Sequence, residues 1–258
     1  YSVSLSNTGQ YQSAVIYGGN IFTSSDYGVT WTQRNPSGSV QNWDSISISS
    51  SGQYQVAVIN GGNIWTSSDF GVTWTERNTG STRTYEAVAM SSTGQYQTVV
   101  ASNSNIWTSS DYGITWTARL NDTTRSWFSI SISYTGQYQT ATTSQTLGNI
   151  WSSSDYGVTW STRGSTGAYR HVSVSSTGQY QTVATFNSTL FTSSDYGINW
   201  IARDSTRNWQ SVSLSSTGQY QSAVVFASPN RYIYTSSDFG ASWNPRPQLD
   251  RKSTRLNS

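Results

Sequence analysis

The chain has 258 residues, a length that suits one large β domain or two ordinary ones. It contains no cysteine, which excludes disulfides and thiolate metal sites, and its single histidine, His171, excludes a metal site with several histidine ligands. The 14 basic and 12 acidic residues nearly balance, and no apolar run reaches membrane-spanning length. We therefore expect no cofactor, no nucleic-acid partner and no membrane insertion.

The segment Trp43–Arg77 predicts four short strands in succession. Ser45–Ser49 alternates apolar and small polar residues, as a strand does. When units of this kind surround a central axis, as in a propeller, their first strands lie close together, and the small serine side chains suit that crowding. A turn that contains glycine leads to a second strand at Gln53–Ile59, and another leads to a third strand at Ile64–Ser67. A fourth strand is predicted at Thr73–Arg77.

One eight-residue phrase occurs six times, in the forms SSDYGVTW, SSDFGVTW, SSDYGITW, SSDYGINW and SSDFGASW. Its aspartates are separated by 40 to 44 residues, a period that predicts one four-stranded propeller blade per repeat. The six copies lie at Ser24–Trp31, Ser67–Trp74, Ser109–Trp116, Ser153–Trp160, Ser193–Trp200 and Ser236–Trp243.

The phrase closely resembles the Asp-box, Ser-x-Asp-x-Gly-x-x-Trp, of sialidase-like propellers. The resemblance extends to every repeat and implies an all-β fold, a six-bladed β-propeller of four-stranded antiparallel blades with the Asp-box turn between the third and fourth strands. We expect a single domain over residues 1–249, closed into a ring by packing of the first blade against the sixth. The expected repeat units are, in round terms, residues 1–42, 43–84, 85–126, 127–168, 169–208 and 209–249.

Both ends of the sequence depart from the repeat pattern. Residues 250–258 read DRKSTRLNS and resemble one reading frame of a sequencing adapter, so we treat them as a non-native tail. The tail holds three basic residues and one acidic residue, and without it the two kinds of charge are equal in number. At the other end Tyr1 falls inside a repeat, and we expect the gene to continue on both sides.

The six Asp-box aspartates are predicted to be structural. A short carboxylate in a turn accepts hydrogen bonds from nearby backbone N–H groups, and the glycine two residues later takes a left-handed conformation. A catalytic or calcium-binding role is the alternative, but six equivalent sites cannot all line one pocket. These aspartates are Asp26, Asp69, Asp111, Asp155, Asp195 and Asp238.

The strand directions place the near-invariant turns at one end of the blades and the variable connections at the other, where binding residues usually lie. On the variable face an aromatic residue begins five of the first strands, and in three repeats an arginine precedes it by two positions. These rings suit stacking on sugars, with the arginines binding hydroxyls or a carboxylate, or else they roof the gaps between blades. The candidate ligand-binding residues are Trp43, Arg83, Tyr85, Arg125, Trp127, Tyr169, Arg207 and Trp209.

Three functions are compatible with this inventory. The aromatic residues and the neutral, hydroxyl-rich surface favour a non-catalytic, lectin-like binding module with quasi-equivalent carbohydrate sites. A structural or protein-interaction scaffold is the alternative. A sialidase-like glycoside hydrolase is the least favoured, because no motif here matches the family's catalytic residues. The expected partners are glycans or a protein surface, and sequons at Asn121 and Asn187 permit an extracellular location.

Overall fold

The structure is a computed structural model that describes residues 1–143, 148–226 and 232–246. The tail predicted at 250–258 lies outside these ranges. Within them the regular structure consists of 25 β-strands, and no helix there is long and apolar enough to cross a membrane.

The strands follow one another at short intervals along the chain. The first thirteen are β1 (Ser2–Leu5), β2 (Gln12–Val15), β3 (Tyr17–Gly19), β4 (Ile21–Ser24), β5 (Thr32–Arg34), β6 (Gln41–Ile48), β7 (Gln55–Gly62), β8 (Ile64–Ser67), β9 (Thr75–Arg77), β10 (Arg83–Met90), β11 (Gln97–Ala101), β12 (Ile106–Ser109) and β13 (Thr117–Arg119). The others are β14 (Trp127–Ile132), β15 (Gln139–Thr143), β16 (Gly148–Ser153), β17 (Ser161–Gly167), β18 (Tyr169–Val174), β19 (Gln181–Thr185), β20 (Ser188–Ser193), β21 (Ile201–Arg207), β22 (Trp209–Leu214), β23 (Gln221–Val225), β24 (Ile233–Ser236) and β25 (Asn244–Arg246).

Antiparallel pairing joins the strands into meanders of four, each with one Asp-box between its third and fourth strands. We call them unit 1 (β1, β2, β4, β5), unit 2 (β6–β9), unit 3 (β10–β13), unit 4 (β14–β17), unit 5 (β18–β21) and unit 6 (β22–β25). Units 1, 4, 5 and 6 are separate four-stranded sheets. Units 2 and 3 merge with β3 into one sheet of nine strands, because β10 pairs with the end of β7 and β3 with the start of β6.

The first strands of consecutive units lie side by side, and serine hydroxyls connect them. The N–H of Val88 donates to Ser45 Oγ of the preceding unit at 3.3 Å, and the N–H of Val172 donates to Ser129 Oγ at 3.2 Å. Small size was the reason for expecting serine here. The structure adds a second reason, since the hydroxyl accepts a backbone N–H that no sheet partner satisfies.

The turns separate to two faces as the strand directions predict. The N–H of Phe70 in the Asp-box turn donates to the carbonyl of Gln53 in the first hairpin turn of the same unit, at 3.0 Å, and the other units repeat this bond. The two near-invariant turns therefore share one end of the blades, the Asp-box face. The variable connections form the loop face at the opposite end.

The apolar core lies between units rather than inside them. Val15 and Ile21 of unit 1 pack against Trp43 and Ile46 of unit 2, and the same pattern recurs at the next four junctions. Full burial of a large apolar side chain contributes about 1.5–3 kcal/mol to stability. Each unit is thus held chiefly by its two neighbours.

The ring is open between unit 6 and unit 1. Among the described residues, no hydrogen bond or aromatic contact joins these two units, and Tyr27 and Tyr220 on the facing surfaces are 64% and 60% exposed. The expected closure of the first blade against the sixth is therefore wrong. Its basis was the repeat count, which does not specify the rotation between neighbouring units.

Candidate functional site

Each Asp-box aspartate accepts hydrogen bonds from residues of its own turn. Asp69 Oδ1 accepts the N–H of Thr73 at 2.9 Å and the hydroxyl of Ser67 at 2.8 Å, and Oδ2 accepts the hydroxyl of Thr73 at 2.6 Å. The other five boxes repeat these contacts, with Asn199 or Ser242 in place of the threonine in units 5 and 6. Both Phe70 and Gly71 have positive φ, of 62° and 79°, so the left-handed turn takes two residues rather than the glycine alone.

These hydrogen bonds lower the pKa of the aspartates. The hydroxyl and N–H of Thr30 hold the pKa of Asp26 at about 2, and those of Ser242 hold the pKa of Asp238 at about 2. Donors that favour the charged form act in this direction. The carboxylates are ionised and satisfied, which leaves them no chemistry for a ligand.

The aromatic residues that begin the first strands are buried between units. Trp43, Tyr85, Trp127, Tyr169 and Trp209 are at most 1% exposed. Trp43 meets the third-strand ring of Trp65 edge-on, with centroids 6.2 Å apart, and equivalent pairs occur in units 4, 5 and 6. With no free face, these rings cannot stack on a sugar. The ligand contact expected of these aromatic residues is therefore wrong, and they cover the gaps between units instead.

The three predicted arginines are held by their own loops. The guanidinium of Arg83 lies 4.4 Å from the ring centroid of Trp107 and donates to Thr79 Oγ1 and the Ser81 carbonyl. Arg125 lies over Trp151 at 4.5 Å and forms a bidentate pair with Asp122.

Arg207 completes this set of three. It lies over Tyr234 at 4.7 Å and donates to the hydroxyl of that residue at 2.8 Å. All three arginines therefore cover the third-strand aromatic of a unit and fix the loop before it, while part of each side chain stays accessible on the loop face.

The third residue of each fourth strand is an arginine, and in five units of six it makes the same hydrogen bond. Arg77 Nε donates to Thr66 Oγ1 at 2.8 Å, and units 1, 3, 5 and 6 share this bond. In unit 4 the acceptor position holds Ser152, whose hydroxyl donates to the Gly197 carbonyl instead. Arg163 Nε is left without a partner there.

The structure brings a different set of residues together at the mouth of the axial channel on the loop face. In units 2 to 6 the residue after the buried aromatic is the extra residue of a β-bulge, because the pairing register shifts across it. A bulge re-aims the side chain it carries, and bulges are frequent beside functional sites. With the aligned residue of unit 1, this position carries six different side chains: Tyr1, Asp44, Glu86, Phe128, Arg170 and Gln210.

These six side chains line one cavity of ≈ 420 Å³ together with His171 and parts of the first strands. We call this cavity the axial mouth. Apart from His171, the four first-strand positions that follow the bulge position hold small or apolar residues in every unit. The bulge position therefore has a chemistry of its own in every unit.

One side of the axial mouth is acidic. Burial raises the pKa of Asp44, which is only 7% exposed, although hydrogen bonds from Asn60 and Tyr1 act in the opposite direction. Burial and the charge of Asp44 together raise the pKa of Glu86 to about 6. Two carboxyls that repel each other in a partly dry site are well suited to binding a cationic group.

The other side is basic and aromatic. The guanidinium of Arg170 lies between the rings of Phe128 and Phe186, at 5.7 and 4.9 Å from their centroids. Burial lowers the pKa of the adjacent His171, whose Nδ1 is buried without a partner. The mouth thus offers acids on units 2 and 3 and a guanidinium on unit 5.

The acidic and basic side chains of the axial mouth come from units 2, 3 and 5. The described residues contain no group of three or more His, Asp or Glu side chains that could hold a metal ion. The pair Asp44 and Glu86 could donate a proton, but Asp44 is nearly inaccessible and already hydrogen-bonded.

The sequence analysis missed the axial mouth because it followed the aromatic residue that recurs at the start of the first strands. The signal was the residue after it, which differs in every repeat.

Comparison with known proteins agrees with the repeat and the fold. The model of the BNR-Asp box repeat matches residues 21–33, 64–77, 106–118 and 190–202. The chain carries BNR-Asp box repeats. No curated protein matches the sequence.

Solved structures share the fold of this BNR-Asp box chain at low sequence identity. YCF48 bound to D1 peptide superposes with a TM-score of 0.71 at 14% identity, over 98% of this chain and 83% of that chain. The GH74 xyloglucanase from Xanthomonas campestris gives 0.71 at 13%, over 94% and 46%. The β-propeller domain of Myceliophteria thermophila Cps50 (Swd1) gives 0.66 at 13%, over 94% and 84%. The fold is therefore a β-propeller.

Proposed function

We propose that this chain is a non-catalytic binding module, a single domain over residues 1–249 with units 1 to 6 as its propeller blades, that binds a protein segment at the axial mouth. The observation that carries the proposal is the bulge position. Six equivalent bulge or bulge-aligned positions point six different side chains into one cavity, whereas packing between units accounts for the neighbouring positions.

The chemistry of the mouth favours a peptide over a sugar. Glu86, with the charge of Asp44 behind it, suits a lysine or arginine side chain, and Arg170 between two aromatic rings suits a carboxylate or the face of an aromatic ring. A segment of protein carries both kinds of group, and a neutral sugar carries neither. The fold itself accommodates such a ligand, since one structural neighbour is YCF48 bound to a peptide.

Charge reversal at Glu86 tests this proposal. Short synthetic peptides with one lysine and a free C-terminal carboxylate serve as probes, and binding is measured by calorimetry at low and moderate salt. We expect Glu86→Lys to weaken binding by about tenfold or more, because a partly buried cation–carboxylate pair becomes a repulsive one. Arg170→Glu should weaken it through the carboxylate of the peptide.

Glu76→Lys is the matched control, since Glu76 is exposed on a fourth strand and bonds only to Asn63. Its affinity should stay unchanged. Equal loss in Glu76→Lys and Glu86→Lys, or no binding of any charged peptide, contradicts the proposal. Hydrolysis of aryl glycosides that Glu86→Gln abolishes would contradict its non-catalytic part.

Carbohydrate binding is the second candidate, and a separate cavity favours it. This cavity of ≈ 430 Å³ lies beside unit 6 and is lined by Asn187, Arg207, Asn208 and Tyr232 among others. Amides, a guanidinium and a phenol are the groups that bind sugar hydroxyls and rings. Glycan-array binding that Asn208→Ala abolishes and Glu86→Lys does not would favour this reading over the peptide one.

A further inference from the structure

The junction between neighbouring units is built five times with the same contacts. The tyrosine of each first hairpin turn stacks on the Asp-box aromatic of the next unit, as Tyr54 does on Tyr112, with centroids 4.3 to 4.5 Å apart in all five cases. A backbone N–H donates across each junction, for example from Ser50 to the Ser92 carbonyl at 2.8 Å. In four junctions a Ser or Thr hydroxyl also donates to a buried glutamine, as Thr98 does to Gln139.

Unit 6 presents one half of this junction and unit 1 the other, and no described residue occupies either half. Tyr220 of unit 6 is 60% exposed. Ile233 of unit 6 is 51% exposed, whereas its counterparts in the other five units are fully buried. On unit 1, Val3 and Leu5 are 60% and 52% exposed, whereas the first-strand residues at the same positions in unit 2 are 4% and 7% exposed. No atom lies within 4 Å of the place a Cβ would take at Gly9, where the other junctions bring a tyrosine.

The uniform junctions determine the size of the opening. The tyrosine stack and the backbone hydrogen bond are the same at all five junctions, which gives neighbouring units one common rotation. A rotation of about 60° would bring unit 6 onto unit 1 with those contacts. A larger rotation would make the two units overlap. The rotation is therefore smaller, and the next ring that closes has seven units at about 51° each, within the range of known propellers. In a ring of seven units, the opening is the position of the seventh.

We propose that the opening between units 6 and 1 binds one further Asp-box unit, contributed by a polypeptide segment outside residues 1–258. The two free surfaces match the two sides of such a unit, since they are the halves of a junction the chain already makes five times. Contact of units 6 and 1 with each other would change the geometry of all five junctions. A second copy of the chain cannot fill the opening, because five of its six fused units would overlap the ring.

The expected contacts can be stated with unit 3 as the incoming unit. Tyr220 of the chain stacks on the Tyr112 equivalent of the incoming unit, and the Tyr96 equivalent stacks on Tyr27. The hydroxyl of Ser222 donates to the glutamine equivalent to Gln97. The apolar residues exposed at the two surfaces become buried.

Cysteine crosslinking tests the proposal in a chain that has no cysteine of its own. The probe is a synthetic peptide with the sequence of residues 83–126. Chain Tyr220→Cys is mixed with peptide Tyr112→Cys, and chain Tyr27→Cys with peptide Tyr96→Cys, each with a short bis-maleimide and mass spectrometry as the readout. Both mixtures should give a one-to-one adduct, and a peptide of scrambled sequence should give none.

Matched variants separate insertion from surface adhesion. Val3→Asp and Ile233→Asp change residues that are exposed without the peptide, so the chain should fold as before and the adduct should be lost. Val40→Asp places the same charge on an exposed valine between β5 and β6, away from the opening, and it should leave the adduct intact. Equal adduct from Val3→Asp and Val40→Asp overturns the proposal, as does no adduct with either cysteine pair.

Crosslinking also distinguishes the other two ways of filling the opening, which are closure of the ring on itself and binding of a second copy of the chain. The double variant Tyr27→Cys/Tyr220→Cys, crosslinked without peptide, should stay unlinked, while Tyr54→Cys/Tyr112→Cys at a formed junction should crosslink within the chain. An internal crosslink of the first pair means that the ring closes on itself, and a chain-to-chain adduct means that a second copy is the occupant. Either result overturns the proposal.

A covalent form guards against a peptide that fails to fold in solution. Residues 83–126 fused after Arg246 should raise the thermal midpoint by more than about 4 °C, since a unit with two new junctions joins the cooperative structure. The same fusion with Ile233→Asp should lose that rise. An unchanged midpoint in the first fusion also contradicts the proposal.

Discussion

The Asp-box aspartates and the residues of the axial mouth occupy equally regular positions, but their hydrogen bonds differ. Asp69 has three donors from its own turn, and the low pKa of Asp26 and Asp238 follows from the same pattern. Glu86 is partly buried next to a second carboxyl, so its charged form is disfavoured. The repeated aspartates stabilise the Asp-box turn of each unit, whereas the position of Glu86 carries a different side chain in every unit and is not needed for that turn.

The raised pKa of Glu86 predicts a specific pH dependence of stability. Its pKa is about 6 in the folded chain, against 4.5 for a glutamate free in water. The charged carboxylate therefore destabilises the folded state above pH 6, and this destabilisation disappears as the pH falls to 4.5. Glu86→Gln should therefore raise the free energy of unfolding at pH 7 by about 1 kcal/mol, a value reduced for solvent screening. It should make no difference at pH 4.

Urea unfolding of both proteins at pH 4 to 8 measures this difference. The comparison with the variant is needed because burial lowers the pKa of His171, which acts in the opposite direction over an overlapping range. A constant difference for Glu86→Gln would contradict the assigned pKa.

At the scale of the element, departures from the repeat leave visible defects. Thr98, Thr140 and Thr182 donate to the buried glutamine of the next unit, but the same position in unit 2 holds Val56. As a result the Oε1 atom of Gln97 is buried without a partner. A buried acceptor of this kind costs about 1–3 kcal/mol.

Val56→Thr should repair this defect. The two side chains have the same shape, and the new hydroxyl can donate to Gln97 Oε1, so we expect a gain of about 0.5–1.5 kcal/mol in the free energy of unfolding. Val99→Thr is the matched control, a fully buried valine at a position of the second strand that makes no such bond. It should destabilise by about 1–3 kcal/mol. Destabilisation by both changes would show that Gln97 is satisfied in another way.

The sequence predicted the elements better than the relations between them. Strand alternation and the phrase around Asp69 predicted four-stranded meanders and two faces, because those patterns are local. The burial of Trp43 could not be separated from ligand stacking, since a ring at a blade edge suits both. The bulge that aims Glu86 into the mouth depends on pairing across strands, which no local pattern records.

At the scale of the molecule, stability should decrease toward the opening. A repeat array is held by its units and by the junctions between neighbours. Units 3 and 4 have junctions on both sides, whereas units 1 and 6 have one each.

Hydrogen exchange followed by mass spectrometry measures this gradient. Amides of β1 with β2, and of β22 with β23, should exchange faster than those of β14 with β15, although the three strand pairs share the same antiparallel ladder. The physical reason is that an end unit opens by breaking one junction and an internal unit by breaking two. The peptide of residues 83–126 should slow exchange in units 1 and 6 and leave unit 4 unchanged. Equal protection of all six units in the free chain would mean that a sixth junction forms in solution, and the opening would then be closed.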